Sequence, residues 1–90
     1  MWLPKGQYQF EGKVRCNAVE TVPGDLFGGA GLRIGGHRLK NGVKGTSTWT
    51  NLSVGFEVTD ALFPVELVCE LRSASGEALF DEDSLRILRR

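Results

Sequence analysis

The sequence predicts an all-β fold in which antiparallel strands form a β-sandwich. Apolar and polar residues alternate over several stretches with a period of two, which is typical of half-buried strands. Turn-forming residues separate these stretches, and 12 glycines among 90 residues fit a chain with many turns. No window shows a sustained helical period.

The longest predicted strand runs from Gln7 to Ala18. Its apolar phase consists of Tyr8, Phe10, Val14, Cys16 and Ala18. Its polar phase consists of Gln9, Glu11, Lys13, Arg15 and Asn17. Gly12 stands in the apolar phase without a side chain, so we predict a bulge or a close approach of another segment there. The turn triplet Pro23-Gly24-Asp25 follows this strand.

The middle of the chain predicts a second strand, a tight turn and a third strand. Residues 31–35 alternate around Arg33. Asn41-Gly42 favours a type I′ turn, with residues 38–40 and 43–44 as the short arms of a hairpin or of a protruding loop. Residues 48–59 form the next strand, with Leu52, Val54, Phe56 and Val58 in its apolar phase. Trp49 is out of phase with that set, which predicts a bulge near Thr50 or a tryptophan on the opposite face.

The last third of the chain predicts a strand over 65–72, a turn at Ser75-Gly76, and short strands over 78–80 and 84–88. Residues 60–64 are predicted to be a connection. Cys16 and Cys69 both stand in apolar phases, which favours two free, buried thiols over a disulfide. A disulfide between them stays an open alternative at this point.

Net charge and hydropathy argue against a nucleic-acid-binding protein, a membrane-spanning helix and a signal peptide. Eleven Lys and Arg residues balance eleven Asp and Glu residues, which argues against nucleic-acid binding. No stretch approaches the ~20 apolar residues of a membrane-spanning helix, and residues 1–5 lack the apolar region of a signal peptide. We expect residues 1–90 to be a single β-sandwich domain excised from a larger protein.

Five segments resemble a known family in their order and spacing. They are Gly-x-Tyr-x-Phe-x-Gly-x-Val-Arg (6–15), Gly-Ala-Gly-Leu-Arg-Ile (29–34), Thr-x-x-Trp-Thr-x-Leu-x-x-x-Phe-x-Val (46–58), Val-Glu-Leu-x-x-Glu-Leu-Arg (65–72) and Gly-x-Ala-x-Phe-Asp-x-x-Ser-Leu (76–85). Together they resemble the C-terminal two-thirds of the jelly-roll carbohydrate-binding modules of bacterial glycoside hydrolases. The resemblance implies a shortened jelly roll that binds polysaccharide without cleaving it, in an extracellular or periplasmic protein.

The sequence departs from this family in two places. The modules usually carry extra N-terminal strands, and they usually end in Phe-Asp-Asp-Val-Ser-Leu, where this chain has Phe80-Asp81-Glu82-Asp83-Ser84-Leu85. The resemblance implies a structural calcium that Asp81 or Glu82 would help to hold. Calcium takes six to eight oxygens, and the missing N-terminal segment would have supplied some of them. We therefore expect a solvated turn and no cofactor.

The resemblance and the polar phases suggest a tentative set of ligand-binding residues. They are Trp49, Glu11, Lys13, Arg15, Arg33, Glu70 and Arg72. If the strand over 7–18 and the strand over 65–72 share a sheet, their polar side chains combine into one face that can bind sugar hydroxyls. The alternative is a ladder of opposite charges that keeps an exposed sheet soluble. In the resembling modules the matching tryptophan usually packs structurally, which leaves the role of Trp49 open.

The sequence predicts a non-catalytic accessory domain of a larger extracytoplasmic bacterial protein, with weak carbohydrate binding. Nothing near His37, which is the only histidine, resembles a nucleophile motif, so we do not expect an enzyme. The alternative is a structural or protein-interaction module without a sugar site. Its partners would be neighbouring domains of the same chain, or a second copy through an exposed sheet edge.

Overall fold

The computed structural model describes residues 1–40 and 42–90. Within this part, five strands form: β1 (Trp2–Glu20), β2 (Gly29–Ile34), β3 (Gly45–Pro64), β4 (Leu67–Arg72) and β5 (Ser75–Arg89). The described residues contain no helix, and every strand pairing is antiparallel, which confirms the prediction of an all-β antiparallel fold. No helical segment among these residues has the length and hydrophobicity to cross a membrane.

The strands form a three-stranded sheet in the order β3-β1-β5 and a two-stranded sheet of β2 and β4. The strands β3 and β5 are longer than predicted. Residues 60–64 continue β3 because they pair with the start of β1, where Trp2 lies opposite Pro64. The predicted strands over 78–80 and 84–88 are one strand, which is interrupted by a register shift along β1.

The apolar phase of β1 faces the interior, as predicted. Tyr8, Phe10, Val14 and Cys16 are all buried. The prediction is wrong for Ala18, which is exposed and has a positive φ of 52°. Register shifts after Cys16 on the β3 side and after Asn17 on the β5 side reverse the alternation, so that Val19 takes the buried position instead.

The two sheets contact each other through a shared apolar cluster. Buried residues of β1 and β2 lie in it together with Val58 of β3 and Val65. The β1 members are Tyr8 and Phe10, and the β2 members are Leu32 and Ile34. Alternation in β3 is confirmed, because Leu52, Val54 and Phe56 pack against this cluster while Ser53 and Glu57 are exposed. The core therefore lies between β2 and the three-stranded sheet.

The segment after β2 does not form the predicted hairpin arms. Residues 38–40 have no strand structure, and Val43 makes only an isolated bridge to Ala30. Asn41, the first residue of the predicted Asn41-Gly42 turn, lies outside the described residues. The segment instead folds back over β2 and buries Leu39.

The strand β4 departs from its predicted alternation. It begins at Leu67, so residues 65 and 66 lie in the preceding connection. Cys69 and Leu71 are exposed although they stand in the predicted apolar phase. The reason is that the shared core covers β2 and only the first residue of β4, Leu67. Both cysteines are free, as predicted, but only Cys16 is buried.

Candidate functional site

The outer face of the three-stranded sheet is the first candidate site. Residues that lie opposite each other in neighbouring strands carry their side chains on the same face. Glu11 of β1 lies opposite Ser53 of β3 and Arg86 of β5, and Lys13 lies opposite Asn51 and Asp81. A row of polar side chains therefore crosses all three strands.

A bulge in β5 deepens this face. Between the pairs Glu11–Arg86 and Lys13–Asp81, β1 advances two residues while β5 advances five. Ser84 bridges the resulting gap in the ladder, since its Oγ accepts the Lys13 backbone N–H at 2.8 Å and donates to the Asp81 carbonyl oxygen at 2.7 Å. A side-chain hydroxyl thus takes the place of the backbone acceptor that a regular ladder would provide on β5.

A groove of about 550 Å³ lies at this bulge, and we call it the sheet groove. Its polar lining carries both hydrogen-bond donors and acceptors and consists of Glu11, Lys13, Asn51, Ser53, Asp81, Asp83, Ser84 and Arg86. Arg86 Nε donates to Glu11 Oε1 across the groove. Gln9 Nε2 donates to Glu11 Oε2 at 3.2 Å and to Ser53 Oγ at 2.5 Å. These contacts hold the Glu11 carboxylate in place.

Trp49 is not among the residues that line the sheet groove, but it stands on β3 two residues before Asn51, which does line it. It is 48% exposed, so its ring is available to solvent. The β1–β3 register shifts between Val14 and Cys16, where Trp49 stands on the opposite strand, and this shift is the bulge that the sequence predicted near Thr50. Arg15 has no partner on β3 at this shift and lies opposite the exposed Leu79 of β5.

The other predicted ligand residues lie on the second sheet. The prediction placed Arg33, Glu70 and Arg72 beside Glu11 on the condition that the strand over 65–72 shares a sheet with β1. This condition is wrong, because β4 pairs with β2 and not with a strand of the three-stranded sheet. Arg33 Nε instead donates to Glu70 Oε2. The seven residues therefore form two groups, one on each sheet.

Arg72 is held by a second ion pair. Its Nε donates to Asp25 Oδ2 at 2.6 Å, and Asp25 Oδ1 also accepts the Phe27 backbone N–H at 3.0 Å. The hydrogen bond from Arg72, and then the one from Phe27, holds the pKa of the Asp25 carboxyl below its ordinary value. The same pairing raises the pKa of Arg72. This pair ties the turn after β1 to the end of β4.

Sequence reasoning missed a second pocket, of about 360 Å³, which we call the arginine pocket. Its lining consists of Phe27, Arg33, His37, Arg38, Leu39, Glu70 and Arg72. The pocket exists because the segment after β2 folds over the outer face of β2 and β4. The glycine-rich stretch around residues 28–36 was the one available signal, since glycines allow such a close approach.

The residues that the resemblance assigned to calcium lie within β5, at its bulge, so the prediction of a separate solvated turn there is wrong. Asp81 Oδ1 accepts the Asp83 backbone N–H at 3.1 Å, and Glu82 is exposed. In the part of the chain that the structure describes, no group of three or more His, Cys, Asp or Glu side chains has a metal-binding arrangement. The two residues do not present the six to eight oxygens that calcium takes, so no metal chemistry is derived for them.

Comparisons with known protein families, with curated proteins and with solved structures found no match. The resemblance to carbohydrate-binding modules therefore stays a prediction from the sequence, and the function has to be argued from the two sheets themselves.

Proposed function

We propose that this chain is a non-catalytic accessory domain that binds carbohydrate weakly on the outer face of its three-stranded sheet. The observation that carries the proposal is the sheet groove, which is lined by donors and acceptors, with the half-exposed Trp49 two residues along β3 from the lining residue Asn51. The proposal includes a shortened jelly-roll sandwich in an extracellular or periplasmic protein. The apolar cluster shared by β1 and β2 supports two packed layers.

The chemistry of the groove suits a sugar. Sugar hydroxyls both donate and accept hydrogen bonds, and the groove offers the Asn51 amide, the Ser53 hydroxyl and the Arg86 guanidinium. The apolar face of a sugar ring packs well on an exposed tryptophan. Weak binding is expected, because a ligand has to compete with the contact between Glu11 and Arg86.

The engagement of the carboxylates supports a binding role over a hydrolytic one. Glycoside hydrolases place two free carboxyl groups at a set separation around the bond that is cleaved. In the sheet groove the Glu11 carboxylate contacts Arg86 and Gln9, and Asp81 Oδ1 accepts the Asp83 backbone N–H. These two of the three carboxylates that line the groove therefore make contacts within the protein's own structure.

Affinity electrophoresis through gels that contain soluble polysaccharides tests the proposal. At least one polysaccharide should retard the wild-type chain, and Trp49→Ala should abolish the retardation. Trp2→Ala is the matched control, because Trp2 is 64% exposed and lies outside the groove. The proposal fails if no polysaccharide retards the wild type, or if both tryptophan variants are retarded to the same extent as the wild type.

A second candidate function is a protein-interaction module. Exposed apolar side chains at one end of the β1–β3 pair favour it, namely Met1, Trp2, Leu62 and Phe63. Light scattering over a range of protein concentrations separates the two functions. A mass that rises with concentration, together with no retardation by polysaccharides, would support the interaction module.

A further inference from the structure

The arginine pocket lies on the second sheet and is closed by the segment that follows β2. Leu39 is the anchor of this segment, since a Cβ on Gly31 would come within 2.5 Å of Leu39 Cδ1. Leu39 is only 2% exposed, so the anchor is tightly packed. The arginine pocket and the sheet groove share no lining residue.

The lining of the arginine pocket is positively charged. Three arginines and one carboxylate, that of Glu70, line the pocket. Asp25 contacts Arg72 but does not line the pocket. Counted against both carboxylates, the three arginines still leave a net positive charge. A concave site with charge of one sign concentrates ions of the opposite sign.

Arg33 and Arg72 are held by ion pairs that do not use the terminal N–H donors of their guanidinium groups. Arg33 and Arg72 contact their carboxylates through Nε. Arg33 Nη1 makes only a long contact of 3.4 Å with the His37 carbonyl oxygen. Within residues 1–40 and 42–90, the Arg72 side chain makes no hydrogen bond other than the one to Asp25. The terminal N–H groups of Arg72 are therefore free for a ligand.

Arg38 supplies the third guanidinium. Its Cζ lies 4.9 Å from the centroid of the Phe27 ring, a cation–π contact that orients the guanidinium plane without using its N–H donors. The described part of the chain gives Arg38 no salt bridge. The Arg38 fork makes no hydrogen bond to the described residues either, and such forks match the geometry of carboxylate and phosphate oxygens.

We propose that the arginine pocket is a binding site for the oxyanion group, carboxylate or phosphate, of a small molecule. Arg38 and Arg72 bind the oxyanion with their open N–H donors, and Glu70 and Asp25 hold Arg33 and Arg72 in position. The pocket volume of about 360 Å³ accommodates a small anion or one acidic sugar. This site is separate from the carbohydrate site proposed above and does not depend on it.

Titrations followed by amide chemical shifts test this site on the full chain. The probes are inorganic phosphate and glucuronate, with glucose and sodium chloride at matched ionic strength as controls. We expect saturable shifts with at least one of the two anions, centred on residues 27, 33, 37–39, 70 and 72. Glucose and chloride should not cause them. The response to each anion shows whether phosphate or carboxylate is preferred.

Arginine variants locate the binding. Arg38→Gln should weaken the binding of the responding anion about tenfold, because it removes a charge-assisted hydrogen bond. Arg38→Lys keeps the charge but loses the fork, so its affinity should fall between those of Arg38→Gln and the wild type. Arg90→Gln is the matched control, since Arg90 is exposed and lies outside the pocket, and it should bind like the wild type.

Three outcomes would overturn the proposal. The first is the absence of saturable shifts with both phosphate and glucuronate. The second is glucose binding at the same residues with the same affinity, which would mean that charge is not recognised. The third is an equal loss of anion binding in Arg38→Gln and Arg90→Gln, which would mean that the anion responds to overall charge and not to this pocket.

Discussion

Two leucines of this chain pack against glycines, and they do so in opposite settings. A Cβ on Gly12 would lie 2.5 Å from Leu85 Cδ2, and a Cβ on Gly31 would lie 2.5 Å from Leu39 Cδ1. Leu85 is half-buried and packs against the core that the two sheets share. Leu39 is fully buried but belongs to neither core cluster, because it covers the opposite face of β2.

The difference between Leu85 and Leu39 indicates under which condition the alternation along a strand predicts which side chains are buried. Leu85 packs on the apolar face of β1, which the other core residues also cover. The burial of Gly12 therefore follows the period of two. Leu39 covers the phase of β2 that Arg33 shares, which the pattern assigns to solvent. A leucine from a loop covers that phase at Gly31, because a glycine leaves room for it. Each glycine also lies at a candidate site, Gly12 in the sheet groove and Gly31 under the arginine pocket.

The largest expected effect comes from removing the two leucines. Leu39→Ala should lower the free energy of unfolding by about 2–5 kcal/mol, because a fully buried leucine leaves a cavity. Leu85→Ala should cost about 1 kcal/mol, since Leu85 is half-buried and less apolar area is lost. Urea unfolding followed by tryptophan fluorescence measures both.

Leu62→Ala is the control for this pair. Leu62 is 57% exposed, and its loss should change the free energy of unfolding by no more than about 0.5 kcal/mol. Equal losses for Leu39→Ala and Leu85→Ala would remove the distinction between the two contacts.

Adding a methyl group to each glycine gives the next largest effect. Gly31→Ala should destabilise the fold by about 1–3 kcal/mol, because the new Cβ meets a leucine that has no room to move. Gly12→Ala should cost less, since half-buried Leu85 can shift away from the new methyl group.

A double-mutant cycle sharpens this prediction. If the clash with Leu39 is the cause, the double variant Gly31→Ala with Leu39→Ala should be more stable than the sum of the two single effects implies. Additive effects would mean that the clash with Leu39 is not the reason why Gly31→Ala destabilises the fold.

The sequence predicted β1 and the inner phase of β3 well, because both strands pack against a continuous core on one side. It also predicted the close approach at Gly12 and the bulge near Trp49, since both interrupt a strong alternation. It could not predict that β1 pairs with β5 and not with β4. Alternation determines the face of a residue but contains no information on which distant strand lies beside it.

For the candidate sites, too, the face of a residue could be predicted from the sequence, whereas its neighbours from distant segments could not. Glu11 and Lys13 line the sheet groove, as expected from their phase in β1, but their partners Asp81 and Arg86 come from β5. The arginine pocket was missed because its residues come from β2, from β4 and from the two segments on either side of β2, which have no periodic pattern. The pattern predicts Arg38 in an arm of a hairpin or of a protruding loop, and nothing in that pattern places it beside Phe27.

The smallest expected effect is a dependence of stability on acid at the turn beside the arginine pocket. Arg72 and the Phe27 backbone N–H lower the pKa of Asp25 in the folded chain from its ordinary value of 3.8. A carboxyl with a depressed pKa when folded stabilises the fold above its unfolded pKa, and this stabilisation is lost as the pH falls through the folded value. Asp25→Asn removes the effect, so the stability difference between wild type and variant should shrink as the pH falls from 6 to about 3. A difference in the urea midpoint that stays constant over this range would mean that the Arg72 contact adds no stability of its own. In that case the packing of Leu39 alone would stabilise the segment that covers the outer face of β2. The Gly31–Leu39 and Gly12–Leu85 contacts would then differ in packing and not in electrostatics.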